Sequence, residues 1–89
     1  MSETRETRIK RLRMRAWHRG MKEMDLLLGN FVDARIEAMT DAEIDHLEEL
    51  MSEEDQDLYR WISGGEPAPD RFAALMTEIE QVTSGAYRA

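Results

Sequence analysis

Apolar positions recur along this chain at the spacing of helix faces, and no stretch alternates with the two-residue period of a half-buried strand. Ile9, Leu12 and Ala16 lay an apolar stripe on a first helix over about residues 5–18, with arginines on its other faces. Gly20 supplies a left-handed or open backbone position that ends it, and Arg19 just before complements its negative end. A second helix follows from about Met21 to Met39, burying Met24, Leu27, Leu28, Phe31 and Ile36. Gly29 inside it costs about 1 kcal/mol relative to alanine, which points to a bend or to the close approach of another helix. Thr40-Asp41-Ala42-Glu43 has the form of a capping box and opens a third helix with Ile44, Leu47 and Met51 on one face. Ser52 or Asp55 is placed to cap a short fourth helix, with Leu58, Trp61 and Ile62 inward and Gly64-Gly65 at its end. After a stiff Glu66-Pro67-Ala68-Pro69 connector, a fifth helix runs from Pro69 to Ser84, striped by Phe72, Leu75, Met76, Ile79 and Val82 and stopped by Gly85. The pattern predicts an all-α fold, a compact five-helix bundle of short helices. It forms a single domain over residues 1–89, with 1–6 and 85–89 frayed.

Composition narrows the class. Eighty-nine residues suffice for one modest core, and 42% hydrophobic with 35% charged residues fits a folded domain rather than a disordered tail. No apolar run nears the ~20 residues needed to span a bilayer; Met24 to Phe31 is the longest, broken by Asp25, Gly29 and Asn30. The chain has no cysteine, which removes disulfides, thiol catalysis and thiolate metal sites. Charge is segregated along the sequence. Residues 1–22 hold eight Lys and Arg against Glu3 and Glu6, a balance of +6; residues 23–89 hold four arginines against seventeen acids, a balance of −13. Two accounts stay open: opposite patches that orient a partner, or a solvated surface that keeps a small domain soluble. Glu3 and Glu6 interrupt the arginine-rich start, which is read as part of the fold rather than as a targeting address.

Reactive chemistry is sparse. His18 and His46 each lack a second histidine or cysteine nearby, so no metal is expected, although His46 lies among acids. No Gly-x-Ser-x-Gly elbow is present, and Gly64-Gly65 lacks the context of a phosphate loop. The basic first helix invites a nucleic-acid reading, but a pI near 4.8 and the lack of a basic helix later in the chain argue against it. Met24, Met51 and Met76 fall on core stripes and serve as gap fillers. Trp17 fits equally as a core lid or an interface anchor.

That leaves the seam from Arg15 to Asp25. As plain structure, Arg19 and Gly20 end one helix while Glu23 and Asp25 begin the next. As a functional surface, Gly20 admits a partner's backbone, and the Arg19 guanidinium and Glu23 carboxylate bond across an interface in fixed register. The docking reading expects the turn to offer these three groups outward, with Trp17, His18 and Asp25 beside them, and it loses its footing if all three are sealed inward with no accessible face.

Arg19-Gly20-Met21-Lys22-Glu23-Met24-Asp25-Leu26-Leu27-Leu28 resembles the Arg-Gly-Met-x-Glu-x-Asp signature of the SdhE and succinate dehydrogenase assembly factor 2 family. Asp55-Gln56-Asp57-Leu58-Tyr59-Arg60-Trp61 resembles its Asp-x-Asp-Leu-x-x-Trp stretch, followed by Gly64 and Pro67. Gln56 stands where many members have proline, and the Trp61–Pro67 connector is a residue shorter than in some bacterial members. The resemblance runs from about residue 7 to residue 82. It implies a five-helix assembly factor that binds the flavoprotein subunit of succinate dehydrogenase, and in some bacteria that of fumarate reductase. It further implies that this factor promotes covalent attachment of FAD to a histidine of that subunit. The chain would then be no enzyme and would hold no stable cofactor of its own. Partner-binding residues carried over are Arg19, Gly20 and Glu23, with Asp25, Trp17 and His18 alongside; Asp57 and Trp61 would support the fold. Neither nucleic acid nor membrane insertion is implied. A bacterial cytoplasmic setting is favoured over the mitochondrial matrix, and an antitoxin-like or regulatory protein-binding module is the alternative.

Overall fold

The first helix begins because Thr4 caps it. Its hydroxyl accepts the Thr7 amide at 3.1 Å, and α1 runs over Arg5–Trp17. In the computed structural model, residues 3–87 are described, with side chains as far as residue 82. After a turn, α2 spans Lys22–Arg35 and tightens into a single 3-10 turn at Ile36–Ala38. The helix expected to reach Met39 therefore ends four residues earlier. Thr40 then opens α3 (Asp41–Met51) with the complete capping box: its hydroxyl takes the Glu43 amide, and the Glu43 carboxylate takes the Thr40 amide.

Two expected caps fail at α4 (Asp55–Ile62). Glu54 occupies the cap position and makes no side-chain cap bond. Ser52 donates backward to the Glu48 carbonyl, and Asp55 is already helical, its carboxylate bonded elsewhere. Gly64, at φ +85°, ends this helix in the left-handed region that glycine favours. Helix α5 (Asp70–Tyr87) continues through Gly85, so that glycine is no stop. Of the segments expected to fray, Thr4 caps α1, Arg5 and Glu6 belong to α1 and 85–87 belong to α5; residues 1, 2, 88 and 89 lie outside the described residues.

Helix α2 is the central element, packing against α1, α4 and α5. Met24, Leu28, Phe31 and Val32 from α2 meet Leu12 and Ala16 of α1, Ile44, Leu47, Leu50 and Met51 of α3, Leu58 of α4, and Phe72, Met76 and Ile79 of α5 in one buried cluster. Each large side chain hidden this way contributes about 1.5–3 kcal/mol, so the apolar stripes decide the fold. Val32 and Leu50 belong to that core although they lie outside the apolar stripes of the sequence; Leu27 and Val82 only border it. Gly29 marks a close approach, as its cost suggested. The Trp17 indole lies on it so tightly that a Cβ there would fall within 3.0 Å of three ring carbons. Among the described residues no helix is long and apolar enough to cross a membrane, and no group of three His, Asp or Glu is placed to hold a metal. His46 instead lies beside Phe72, ring centres 5.4 Å apart.

Candidate functional site

The turn between α1 and α2 has more amides than local acceptors. His18 closes α1 by donating its backbone N–H to the Arg15 carbonyl, and Met21 caps α2 without using a side chain. The orphaned N–H groups of such a junction need partners, and two carboxylates provide them. Asp25, one turn into α2, accepts the Arg19 amide at 2.5 Å. Asp55, first residue of α4, accepts the Gly20 and Met21 amides through Oδ2 at 2.9 and 3.2 Å.

The other Asp55 oxygen, Oδ1, takes Arg19 Nε at 2.6 Å. The remaining guanidinium nitrogens of Arg19 donate to the carbonyls of Met51 at 2.5 Å and Glu53 at 2.8 Å. The pair is largely sequestered, with 11% of the Arg19 side chain and 16% of the Asp55 side chain accessible. A cation at those carbonyls is favourable because α3 ends there with no basic residue in its own last turn. This corrects two expectations. Arg19 serves the end of the third helix rather than the first, and its guanidinium points inward as a pin instead of outward to a partner.

What does face outward is narrower than expected. Gly20, Glu23 and His18 are exposed, while Asp25 is half-buried against the Arg19 amide. Gly20 is not in the left-handed region. A Cβ built on it would meet only Asp55 Oδ2 at 3.8 Å, an ordinary contact. Neither backbone conformation nor internal packing requires glycine here. His18 donates Nδ1–H to the Met14 carbonyl at 2.8 Å, which leaves Nε2 as the free ring nitrogen. Together with Arg15, Arg19, Gly20, Glu54 and Asp55, His18 lines a shallow depression of about 380 Å³. Trp17 does cover the core as a lid, its ring lying on Gly29 and its Nε1–H donating to Asp33 at 3.1 Å, but the residue is only half-buried and also lines the surface.

Asp55 is the residue the sequence reading missed. It stands first in the second motif, where its position suggests a cap for α4, whereas its carboxylate joins that motif to the first one. Of the two residues expected to support the fold, Asp57 accepts from Arg60 on its own helix at 2.6 Å, and Trp61 is half-buried, its ring centre 6.2 Å from that of Phe72. Titration is perturbed away from the turn, in the ion cluster joining α1 to α3. There a hydrogen bond from Arg11, then one from Arg8, holds the Glu48 carboxyl below the ordinary carboxylate value against the opposing effect of burial. Glu3 is lowered in the same direction, chiefly by a hydrogen bond from Arg11.

Fold and site together define a small all-α domain whose distinguishing surface is a pinned, glycine-bearing turn. A family model described as "Flavinator of succinate dehydrogenase" matches residues 10–83, and the chain belongs to that family. It is 40% identical over 72 residues to a protein named "Succinate dehydrogenase assembly factor 2, mitochondrial" from Mycosarcoma maydis, covering 81% of this chain and 30% of that one. It is 39% identical over 69 residues to "FAD assembly factor SdhE" from Acetobacter pasteurianus, covering 78% and 63%. A mitochondrial assembly factor 2 from Meyerozyma guilliermondii is 37% identical over 73 residues, covering 79% and 54%. The chain thus spans less than two thirds of the length of each of these relatives.

Proposed function

We propose that this chain binds the flavoprotein subunit of succinate dehydrogenase and promotes covalent attachment of FAD to a histidine of that subunit, without being an enzyme or retaining the flavin. Membership of the flavinator family supports the reading. The structural observation that carries it is Gly20: an exposed glycine that nothing inside the chain requires, beside an exposed Glu23 with no hydrogen-bond partner among the described residues. A bare backbone and a carboxylate suit close approach by another protein.

Arg19 and Asp55 then have a different task from Gly20 and Glu23. They fix the turn, so the exposed pair meets the partner without first being ordered, and preorganisation of this kind favours binding. The bound partner would have its flavin and acceptor imidazole held in a reactive arrangement. Positioning alone can remove a large part of a barrier, so no reactive group from this chain is needed.

The test is co-expression with the succinate dehydrogenase flavoprotein subunit of the same organism, scoring flavin fluorescence on the denatured band. Glu23→Ala and Gly20→Val are expected to stay folded and to lose most of the covalent flavin. Wild-type fluorescence with both variants would overturn the reading.

A further inference from the structure

Gly20 and Glu23 alone make too small a contact for a protein partner, because a stable interface covers roughly 800 Å² on each side. The surface around the turn must supply the remainder, and its two flanks differ. On one flank lie Glu54, just before the pinned Asp55, and the acidic first turn of α4 that Asp55 opens. On the other lies the outer face of α1, where Met14 is 68% exposed, the most exposed large hydrophobic side chain among the described residues. Interface centres are depleted in charge and enriched in methionine and aromatic groups, which favours the α1 flank.

Met14 and Trp17, with Lys10, Arg13, His18 and Asp33, line an apolar depression of about 500 Å³. His18 lines this depression and also the one over Gly20, so the two form a continuous surface. The floor is rigid. Trp17 is wedged on Gly29 and bonded to Asp33, and Asp33 also holds Arg13 at 3.3 Å. Exposed Lys10 stands at the rim.

We infer that this face of α1 is the second half of the flavoprotein contact. It receives an apolar side chain of the partner over Met14 and Trp17, with a partner carboxylate beside it meeting Lys10. The inference rests on the function proposed above and extends it from a turn to a surface. Aromatic and flexible apolar anchors of this type carry much of the affinity in protein interfaces.

The experiment is capture of the purified flavoprotein subunit by immobilised full chain, measured as a dissociation constant, with Tm as the control for folding. Met14→Glu is expected to keep the wild-type Tm, since its side chain is in solvent, and to weaken capture roughly 10- to 100-fold. Lys10→Glu should weaken it several-fold, mainly through the association rate and more strongly at low salt. Wild-type affinity in both variants, with Glu23→Ala still defective, would overturn this inference and leave the turn as the docking site. Failure of the unaltered chain to capture the flavoprotein would overturn both.

Discussion

Arg19 and Glu23 sit four residues apart in one motif, yet the structure gives them opposite environments. Removing one member of a sequestered ion pair strands the other, a loss of about 3–5 kcal/mol where burial is complete and somewhat less at the 11% and 16% exposure seen here. Asp55→Ala also leaves the Gly20 and Met21 amides without their acceptor. We expect Asp55→Ala and Arg19→Ala to lower unfolding free energy by about 2–4 kcal/mol in urea titrations. Glu23→Ala, at an exposed site, should stay within about 0.5 kcal/mol of wild type. If Arg19→Ala proved as stable as Glu23→Ala, the pin would not exist in solution. A second residue-scale test concerns Gly29. Alanine there gains about 1 kcal/mol of helix propensity but drives its methyl into an indole that cannot swing away without losing Asp33. The expected net result is a loss of about 1–2 kcal/mol, within the usual cost of overpacking, read from the same titrations.

Which contacts the sequence revealed depended on how far apart their partners lie. The Thr40–Glu43 capping box spans three residues and is legible in full; the apolar stripes that repeat every three or four are legible for most of the core, with Val32 and Leu50 left out and Leu27 and Val82 placed too deep. The Arg19–Asp55 pair spans 36 residues, and no local pattern connects the two. Local physics therefore assigned Arg19 to the nearest helix end, when the third helix, lacking a basic residue in its last turn, had the greater need. Glycine carries a similar lesson. Gly64 and Gly85 both follow apolar helical patterns, but only Gly64 adopts positive φ and stops its helix. Because a Cβ at Gly64 would meet nothing within 4 Å, strain is the whole cost of replacing it. Gly64→Ala should lower stability by about 1 kcal/mol, measurable as a fall in Tm. An unchanged Tm would mean that α4 ends without needing the left-handed residue.

At the scale of the whole molecule, the linear segregation of charge does not survive folding. The basic first helix lies against acids from the acidic remainder: Arg5 on Asp41 at 2.7 Å, Arg8 on Asp45 at 2.6 Å and Glu48 at 3.0 Å, Arg11 on Glu48 at 3.0 Å and Arg13 on Glu37 at 3.0 Å. That interleaving weakens both the idea of two opposed steering patches and the case for phosphate contacts through these arginines. It also predicts a pH response. Glu48 is at the centre of the cluster, its folded pKa lowered below 4.5 by Arg11 first and Arg8 second. At neutral pH the carboxylate is ionised in folded and unfolded chains alike, and its pairing stabilises the fold in full. As pH falls through about 4.5 the unfolded chain takes up the proton first, so stability declines until the lower folded pKa has been passed. Glu48→Gln removes that linkage. Its Tm should be lower than wild type at pH 7, and the gap should narrow between about pH 5 and pH 3. Parallel Tm curves across that window would show that Glu48 contributes nothing to the acid sensitivity of the fold.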